Sequence, residues 1–343
     1  MSELLERIEG FPRVSLTHAP TPLEPAPRLG ELLGLELLVK RDDCTGLAFG
    51  GNKTRQLEFY MGAAQAENAD TILITGAVQS NFVRMAAAAA AKLGMDAYVQ
   101  LEERVACVDD TYHNSGNVLL DDLLGAHRLS YPEGEDEAGA DRALEELAKT
   151  LKDEGKRPYL IPLAPDHPPL GALGYALCAA ELLEQRDDVD AYVVPSGSGA
   201  THTGLLFGLR ALGDRTPVYG VCVRRAADLQ RGRIARHCAA IADMLDLDVT
   251  VDNTDIIIDD RALAPGYGQL NKPTFEALRL AATMEGLLLD PTYTAKVLAG
   301  LIALAREGTL ALDSRVVFLH TGGQPALFGY EPVLRDWLGR SGS

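Results

Sequence analysis

The sequence predicts an α/β protein built on parallel sheets with helices on both faces. Two observations carry that prediction. Short apolar runs of strand length alternate with longer stretches of helical periodicity along nearly the whole chain. Several of those runs end in glycine-rich turns that open straight into a helical pattern, as loops at the C-terminal edges of parallel strands do.

Taken in order, the strands are Leu37–Lys40, Thr71–Thr75, Ala97–Leu101, Tyr159–Leu163, Ala191–Val194, Val218–Val223 and Val316–Leu319. Each is short, apolar and bounded by turn-forming residues. A helix over Phe82–Leu93 follows from six consecutive alanines, Ala86 to Ala91, alanine being the best helix former. A second helix covers Ala140–Leu151. There Leu144, Leu147 and Leu151 share a face, and Glu145 stands four residues before Lys149. The acidic stretch Pro132–Glu137 reads as an exposed, solvated loop. No repeat or low-complexity linker interrupts the 343 residues, a length that admits one large domain or two.

Charge and cysteine usage narrow the class. Lys and Arg number 32 against 49 Asp and Glu, a net charge of −17, which disfavours binding to nucleic acid or an anionic membrane surface. The same acidity would also suit a salt-rich host. The N-terminus lacks the basic start and apolar run of a signal peptide, and no apolar stretch is long enough to span a bilayer. Five scattered cysteines without metal-ligand spacing read as reduced thiols of a cytoplasmic protein. The seven histidines form no metal-binding pair, so no metal is expected.

Two loops carry the chemistry. In Gly50-Gly51-Asn52-Lys53-Thr54-Arg55, a lysine follows two glycines at the mouth of a helical pattern. A lysine pressed into a pocket can become a nucleophilic amine for a carbonyl cofactor, although most lysines are simply solvated. Far downstream, Pro195-Ser196-Gly197-Ser198-Gly199-Ala200-Thr201 joins an apolar strand to a helix marked by Leu205, Leu206, Leu209 and Leu212. Strand, Gly/Ser loop and helix N-terminus together make an anion site of backbone N–H groups, with Ser196, Ser198 and Thr201 adding hydroxyls. The loop has neither the ending of a P-loop nor the dinucleotide fingerprint, which disfavours ATP and NAD. By itself it would pass for an ordinary turn. A Schiff-base lysine combined with a phosphate cup points to pyridoxal 5'-phosphate.

Further turns follow strands. Thr75-Gly76-Ala77-Val78-Gln79-Ser80-Asn81 offers N–H groups and two polar side chains for an α-carboxylate. Ser80 is either a proton-transfer group or a helix N-cap. In Phe318-Leu319-His320-Thr321-Gly322-Gly323, the Thr321 hydroxyl could meet a cofactor ring nitrogen, while His320 reads as structural. Tyr267 and Tyr293, in turn-rich segments, either plug loops or reach a substrate.

Together these stretches resemble the pyridoxal-phosphate family of D-cysteine desulfhydrase and 1-aminocyclopropane-1-carboxylate deaminase. The resemblance also takes in Phe11-Pro12-Arg13, Pro20-Thr21-Pro22-Leu23-Glu24, Lys40-Arg41-Asp42-Asp43, Ser115-Gly116-Asn117 and Leu170-Gly171-Ala172-Leu173-Gly174-Tyr175, so it spans nearly the whole chain in order. It implies the tryptophan-synthase-β-like fold (PLP fold type II), two open, mostly parallel twisted sheets flanked by helices, in a homodimer. A large cofactor-binding domain would comprise residues 1–54 and 166–343, with residues 55–165 as a smaller inserted domain. Lys53 would hold the cofactor, helped by Asn81, Ser196, Gly197, Ser198, Gly199, Ala200, Thr201 and Thr321. Lys53, Ser80 and Tyr293 would act in catalysis on a small amino acid. Ser80, Asn81, Phe82, His167, Tyr267, Gln269 and Tyr293 would contact that substrate.

The resemblance has branches. The cyclopropane deaminases carry a glutamate after the tyrosine equivalent to Tyr293 and a leucine after the histidine equivalent to His320; this chain has Thr294 and Thr321. A neutral hydroxyl sustains the electron sink less than a carboxylate, so β-elimination to pyruvate and ammonia is expected ahead of ring opening. Cysteate sulfo-lyase and amino-acid racemase activity on the same scaffold are the alternatives. The chain departs from the desulfhydrase pattern at Phe82, Met85, Ala164-Pro165-Asp166-His167 and Gln269-Leu270. These changes either re-cut the substrate pocket, with His167 and Gln269 as new donors, or record compensated packing drift.

Overall fold

The computed structural model describes residues 2–106, 109–162 and 167–341. Among the described residues, ten strands form two sheets. The first runs β1-β2-β10-β7-β8-β9, from Leu23–Pro25 (β1), Glu36–Lys40 (β2), Arg315–Leu319 (β10), Ala191–Ser196 (β7), Val218–Cys222 (β8) and Ile257–Asp259 (β9). The second runs β5-β4-β3-β6, from His127–Tyr131 (β5), Asp96–Glu102 (β4), Thr71–Ala77 (β3) and Pro158–Ile161 (β6). Among the described residues, only the β1–β2 pair is antiparallel. The expectation of two mostly parallel sheets flanked by helices is met.

Every residue of β3 and of β7 is buried, as Val/Ile-rich strands covered on both faces must be. The three strands the sequence did not announce, β1, β5 and β9, all lie at sheet edges. Edge strands pair on one side only and need no continuous apolar run. Strand β5 has no fully buried residue at all.

The alanine run lies in the helix Asn81–Leu93, which packs on β3 and β4, and Ala86 to Ala90 are buried there. Small side chains allow that close approach. The helix Glu137–Asp153 brings Leu144 and Leu151 against Leu73 of β3.

The helix Lys53–Ala66 crosses the expected domain boundary after residue 54, and the expected boundary at 165/166 lies outside the described residues. Its N-terminal turn is tied down by a buried ionic network. Arg55 donates to Asp42 Oδ2 (2.9 Å) and to Glu181 Oε2 (2.8 Å). Lys40 reaches the same Glu181, and the Tyr175 hydroxyl donates to Asp42. Burial alone would raise the Asp42 carboxyl, but Arg55 beside it and the Tyr175 hydrogen bond hold it below its ordinary value.

Candidate active site

A cleft of about 850 Å³, open mouth included, is lined by the loops that follow β3, β4, β7, β8 and β10. All five emerge from the C-terminal ends of parallel strands, where ligand crevices of α/β folds form.

Lys53 opens its helix at the cleft wall. Gly51 (φ +130°) and Gly322 (φ +85°) let the two loops beneath it touch. A Cβ on Gly322 would lie 2.8 Å from Gly51 Cα, so a side chain there would push the loops apart. Lys53 Nζ donates to Gln56 Oε1 (3.1 Å) and lies 4.5 Å from the centre of the Phe82 ring. Ser198 Oγ is 3.5 Å away. Burial lowers the Lys53 amine to about 8, which leaves a useful neutral fraction near physiological pH. Lys296 is lowered to about 8 as well, but its amine donates to the Leu263 and Gly266 carbonyls, each at 2.7 Å, and does not line the cleft. Geometry, not acidity, singles out Lys53.

The loop after β7 turns at Gly199 (φ +105°) into the helix Ala200–Ala211, whose N-terminus has no side-chain cap. Its first amides are therefore available to an anion. Thr201 Oγ1 accepts from Asn52 Nδ2 (2.8 Å) and Gln56 Nε2 (3.0 Å). With both lone pairs engaged, its proton is the part left to offer the cleft.

On the opposite side, Ser80 caps the helix Asn81–Leu93, its Oγ accepting from Val83 N (3.2 Å), and it also lines the cleft. The N-cap reading of this serine is met, and the same residue sits on the cleft wall. Asn81 Oδ1 accepts from Asn117 Nδ2 (3.0 Å), which turns the Asn81 amide donors elsewhere. Asn117 also donates to the Gln79 carbonyl (3.0 Å), so the Ser115-Gly116-Asn117 stretch braces the loop that follows β3. Tyr267 and Tyr293 both line the cleft with hydroxyls 2.6 Å apart. Asp290 fixes the second of them by accepting from the Thr292, Tyr293 and Thr294 amides.

The comparisons with known proteins agree with this geometry. The family described as pyridoxal-phosphate dependent enzyme matches residues 14–322. The chain belongs to that family. It is 42% identical over 333 residues to a D-cysteine desulfhydrase of Klebsiella pneumoniae, covering 96% of this chain and 99% of that protein. A D-cysteine desulfhydrase of Salmonella schwarzengrund is 43% identical over 336 residues, with 96% and 99% covered. Among solved structures, an ACC deaminase homologue superposes with a TM-score of 0.87 at 34% identity, covering 97% and 98% of the two chains. A threonine deaminase isoform of Solanum lycopersicum (TM-score 0.66, 17% identity, 97% and 92% covered) shares the fold. The resemblance read from the sequence is borne out, and the protein is a pyridoxal-phosphate dependent enzyme.

The donor set fits the cofactor: a lysine amine of lowered proton affinity, a helix N-terminus without a side-chain cap, and a threonine hydroxyl whose oxygen already accepts two hydrogen bonds. Lys53 would bind its carbonyl carbon, and Gly197 to Thr201 its phosphate. When bound, the cofactor supplies an electron sink for charge developing at the substrate Cα.

Not every expected residue faces the cleft. Ser196 is fully buried beneath the loop, its Oγ bound to His202 Nδ1 (3.0 Å) and Gln230 Nε2 (2.9 Å), so its hydroxyl is a brace and not a phosphate donor. Ala200 and His167 line a smaller adjoining cleft with Tyr60 and His237. Gln269 lines neither, its amide N–H capping Gly266. The pocket changes expected of His167 and Gln269 are thus corrected; Phe82 and Thr321 do line the main cleft. Ala164, Pro165 and Asp166 lie outside the described residues. Thr294 is buried against Asp290, and His320 is buried, with its Nδ1 accepting from Gly322 N (3.3 Å), both away from the lining.

The sequence reading missed a charged group on the wall. Arg104, Arg224, Arg233 and Glu137 all line the cleft. Glu137 was expected in a solvated loop, yet it begins a helix and accepts from Arg224 (2.5 Å) and Arg225. The available signal was positional: Arg224 follows the C-terminal end of β8, just as the other site loops follow theirs.

Proposed function

We propose that this enzyme removes the β substituent of a small amino acid, releasing pyruvate and ammonia, in the manner named for its D-cysteine desulfhydrase relatives. The observation that carries the reading is one cleft lined by the Lys53 amine, the Ser80 hydroxyl and the uncapped phosphate-side helix. Lys53 holds the cofactor and removes the Cα proton. Ser80, which also lines the cleft, supplies a proton to the departing β group. The Asn81 amide and the N-terminus of its helix hold the α-carboxylate, while the Tyr267–Tyr293 pair walls the β position. Both phenols are pushed up by burial and stay neutral. Thr321 meets the cofactor ring with a neutral group, which supports β-elimination over cyclopropane opening. Racemisation on the same pair, Lys53 and Ser80, is the competing reading.

The test is pyruvate release over D- and L-cysteine, β-chloroalanine and cysteate. Pyruvate formed by the wild type and lost in Lys53→Ala supports the proposal; loss of substrate chirality without pyruvate would replace it with racemisation. The same reading includes a cytoplasmic homodimer with residues 1–54 and 166–343 as the large domain and 55–165 as the inserted one. Among the described residues no helix is long and apolar enough to cross a membrane.

A further inference from the structure

Arginines Arg104, Arg224 and Arg233 reach the cleft wall with side chains only 7%, 10% and 5% exposed. Charge buried to that degree is costly unless something compensates it. Arg225 and Arg233 have a structural task, donating to the Gly197 carbonyl (3.0 Å) and the Ser198 carbonyl (2.7 Å) and so bracing the phosphate-side loop. Arg224 instead reaches Glu137, the carboxylate that Arg225 and Arg233 also approach. Arg104 comes from the other sheet, is matched by Glu102 (2.7–2.8 Å), and lies 6.0 Å from the centre of the Tyr267 ring. Three guanidinium groups therefore converge on one carboxylate, beside the tyrosine pair. Burial, followed by repulsion from neighbouring arginines, lowers the proton affinity of Arg224 and Arg233. Such a cluster gains from one more anion.

We propose that Arg224 and Arg104 form a subsite for an oxyanion on the substrate's β carbon, so that the preferred substrate is an alanine bearing a sulfonate or similar group there. The inference rests on the β-elimination reading. A guanidinium fork matches two oxygens of such a group at once, which a neutral thiol cannot exploit. With cysteate the balance is simple. The Cα proton passes to the enzyme and the Cβ–S bond breaks with its electron pair on sulfur, so sulfite departs. The remaining aminoacrylate takes up a proton and adds one water, giving pyruvate and ammonium. Positive charge at the subsite also stabilises the departing sulfite as charge builds on it.

The experiment compares kcat/KM for cysteate, O-phosphoserine, D-cysteine and β-chloroalanine in the wild type, Arg224→Gln, Arg224→Lys and Arg104→Gln. It is paired with calorimetric titration of 3-sulfopropanoate, which carries both acidic groups but no amine. The expected result is a cysteate-to-β-chloroalanine selectivity that falls on the order of 10²-fold in Arg224→Gln and partly recovers in Arg224→Lys, with weaker 3-sulfopropanoate binding. Preference for O-phosphoserine over cysteate would keep the subsite and change the oxyanion. Arg104→Gln carries the same test if Arg224→Gln does not fold. A preference for D-cysteine with selectivity unchanged in the variants would overturn the proposal. An equal loss on all substrates, accompanied by loss of cofactor, would also overturn it by assigning the arginines to the phosphate. Absence of pyruvate from β-chloroalanine in the wild type would instead sink the β-elimination reading, while the titration would still report on the anion subsite.

Discussion

Two hydroxyls five residues apart, Ser196 and Thr201, look alike in the sequence and differ in the fold. Thr201 has its lone pairs filled by amides and its proton toward the cleft, whereas Ser196 is spent on His202 and Gln230. Thr201→Val should weaken cofactor retention by about 10- to 100-fold, the equivalent of a hydrogen bond to a charged group worth roughly 1.5–3 kcal/mol. Ser196→Ala should lower stability with a far smaller change in retention, and equilibrium dialysis of cofactor against both variants checks the contrast. Ser80 caps its helix, so Ser80→Ala should lose about 1 kcal/mol of stability as a missing cap. It should also lose on the order of 10²–10⁴ in elimination rate as a missing proton donor. A fully active, merely destabilised variant would leave it only the cap. At this scale the glycine-flanked residues were legible because their neighbours announce a turn. His167 and Gln269 were not, because closeness in sequence to a site loop says nothing about where a side chain points.

At the scale of the element, the helix Lys53–Ala66 is held where it begins. Asp42, Arg55, Glu181 and Lys40 form a buried ionic knot beside the first turn of that helix, next to Lys53. Breaking such a knot by removing one partner leaves an uncompensated buried charge. Asp42→Ala should therefore cost about 3–5 kcal/mol in chemical denaturation and reduce the cofactor content of purified protein. Retention of wild-type stability would show that the knot is dispensable. The Lys40-Arg41-Asp42-Asp43 stretch was readable as part of the family pattern, but its physical purpose was not, since Tyr175 and Glu181, which close the knot, lie 133 and 141 residues beyond Asp42 and Lys40. Central strands were legible as short apolar runs and the helix Glu137–Asp153 from its leucine period, whereas the longest helix, Ala227–Leu245, was not foreseen. The edge strands β1, β5 and β9 were not, since half-exposed pairing needs no hydrophobic signature. The arginine cluster escaped for a related reason: single charged residues from four separate segments meet only after both sheets have formed.

For the whole molecule, burial of neutral histidines sets the acid limit. His202 is lowered to about 3 and His237 to about 4, burial being the leading cause in each. In the unfolded chain both would titrate near 6.5. The unfolded state therefore binds more protons as pH falls below about 6.5. Stability should decline from there down to the folded values, by about 1.4 kcal/mol per pH unit for each histidine over the steep part of that window. The paired carboxylates Asp42 and Glu181, both held below their ordinary values, add their loss only at lower pH. Denaturation midpoints between pH 7.5 and 4.5 check the sign, and His202→Asn should flatten the upper part of the slope. A midpoint independent of pH down to 4.5 would contradict it.

The central claim is that one cleft, at the C-terminal edges of both sheets, presents Lys53 to pyridoxal phosphate. It is tested most directly by borohydride reduction of the purified yellow protein, followed by peptide mapping of the fixed cofactor. The label should lie on Lys53 alone. Label on Lys296, whose amine has the same lowered proton affinity but donates to two backbone carbonyls outside the cleft, would contradict the account, as would a protein that holds no reducible cofactor.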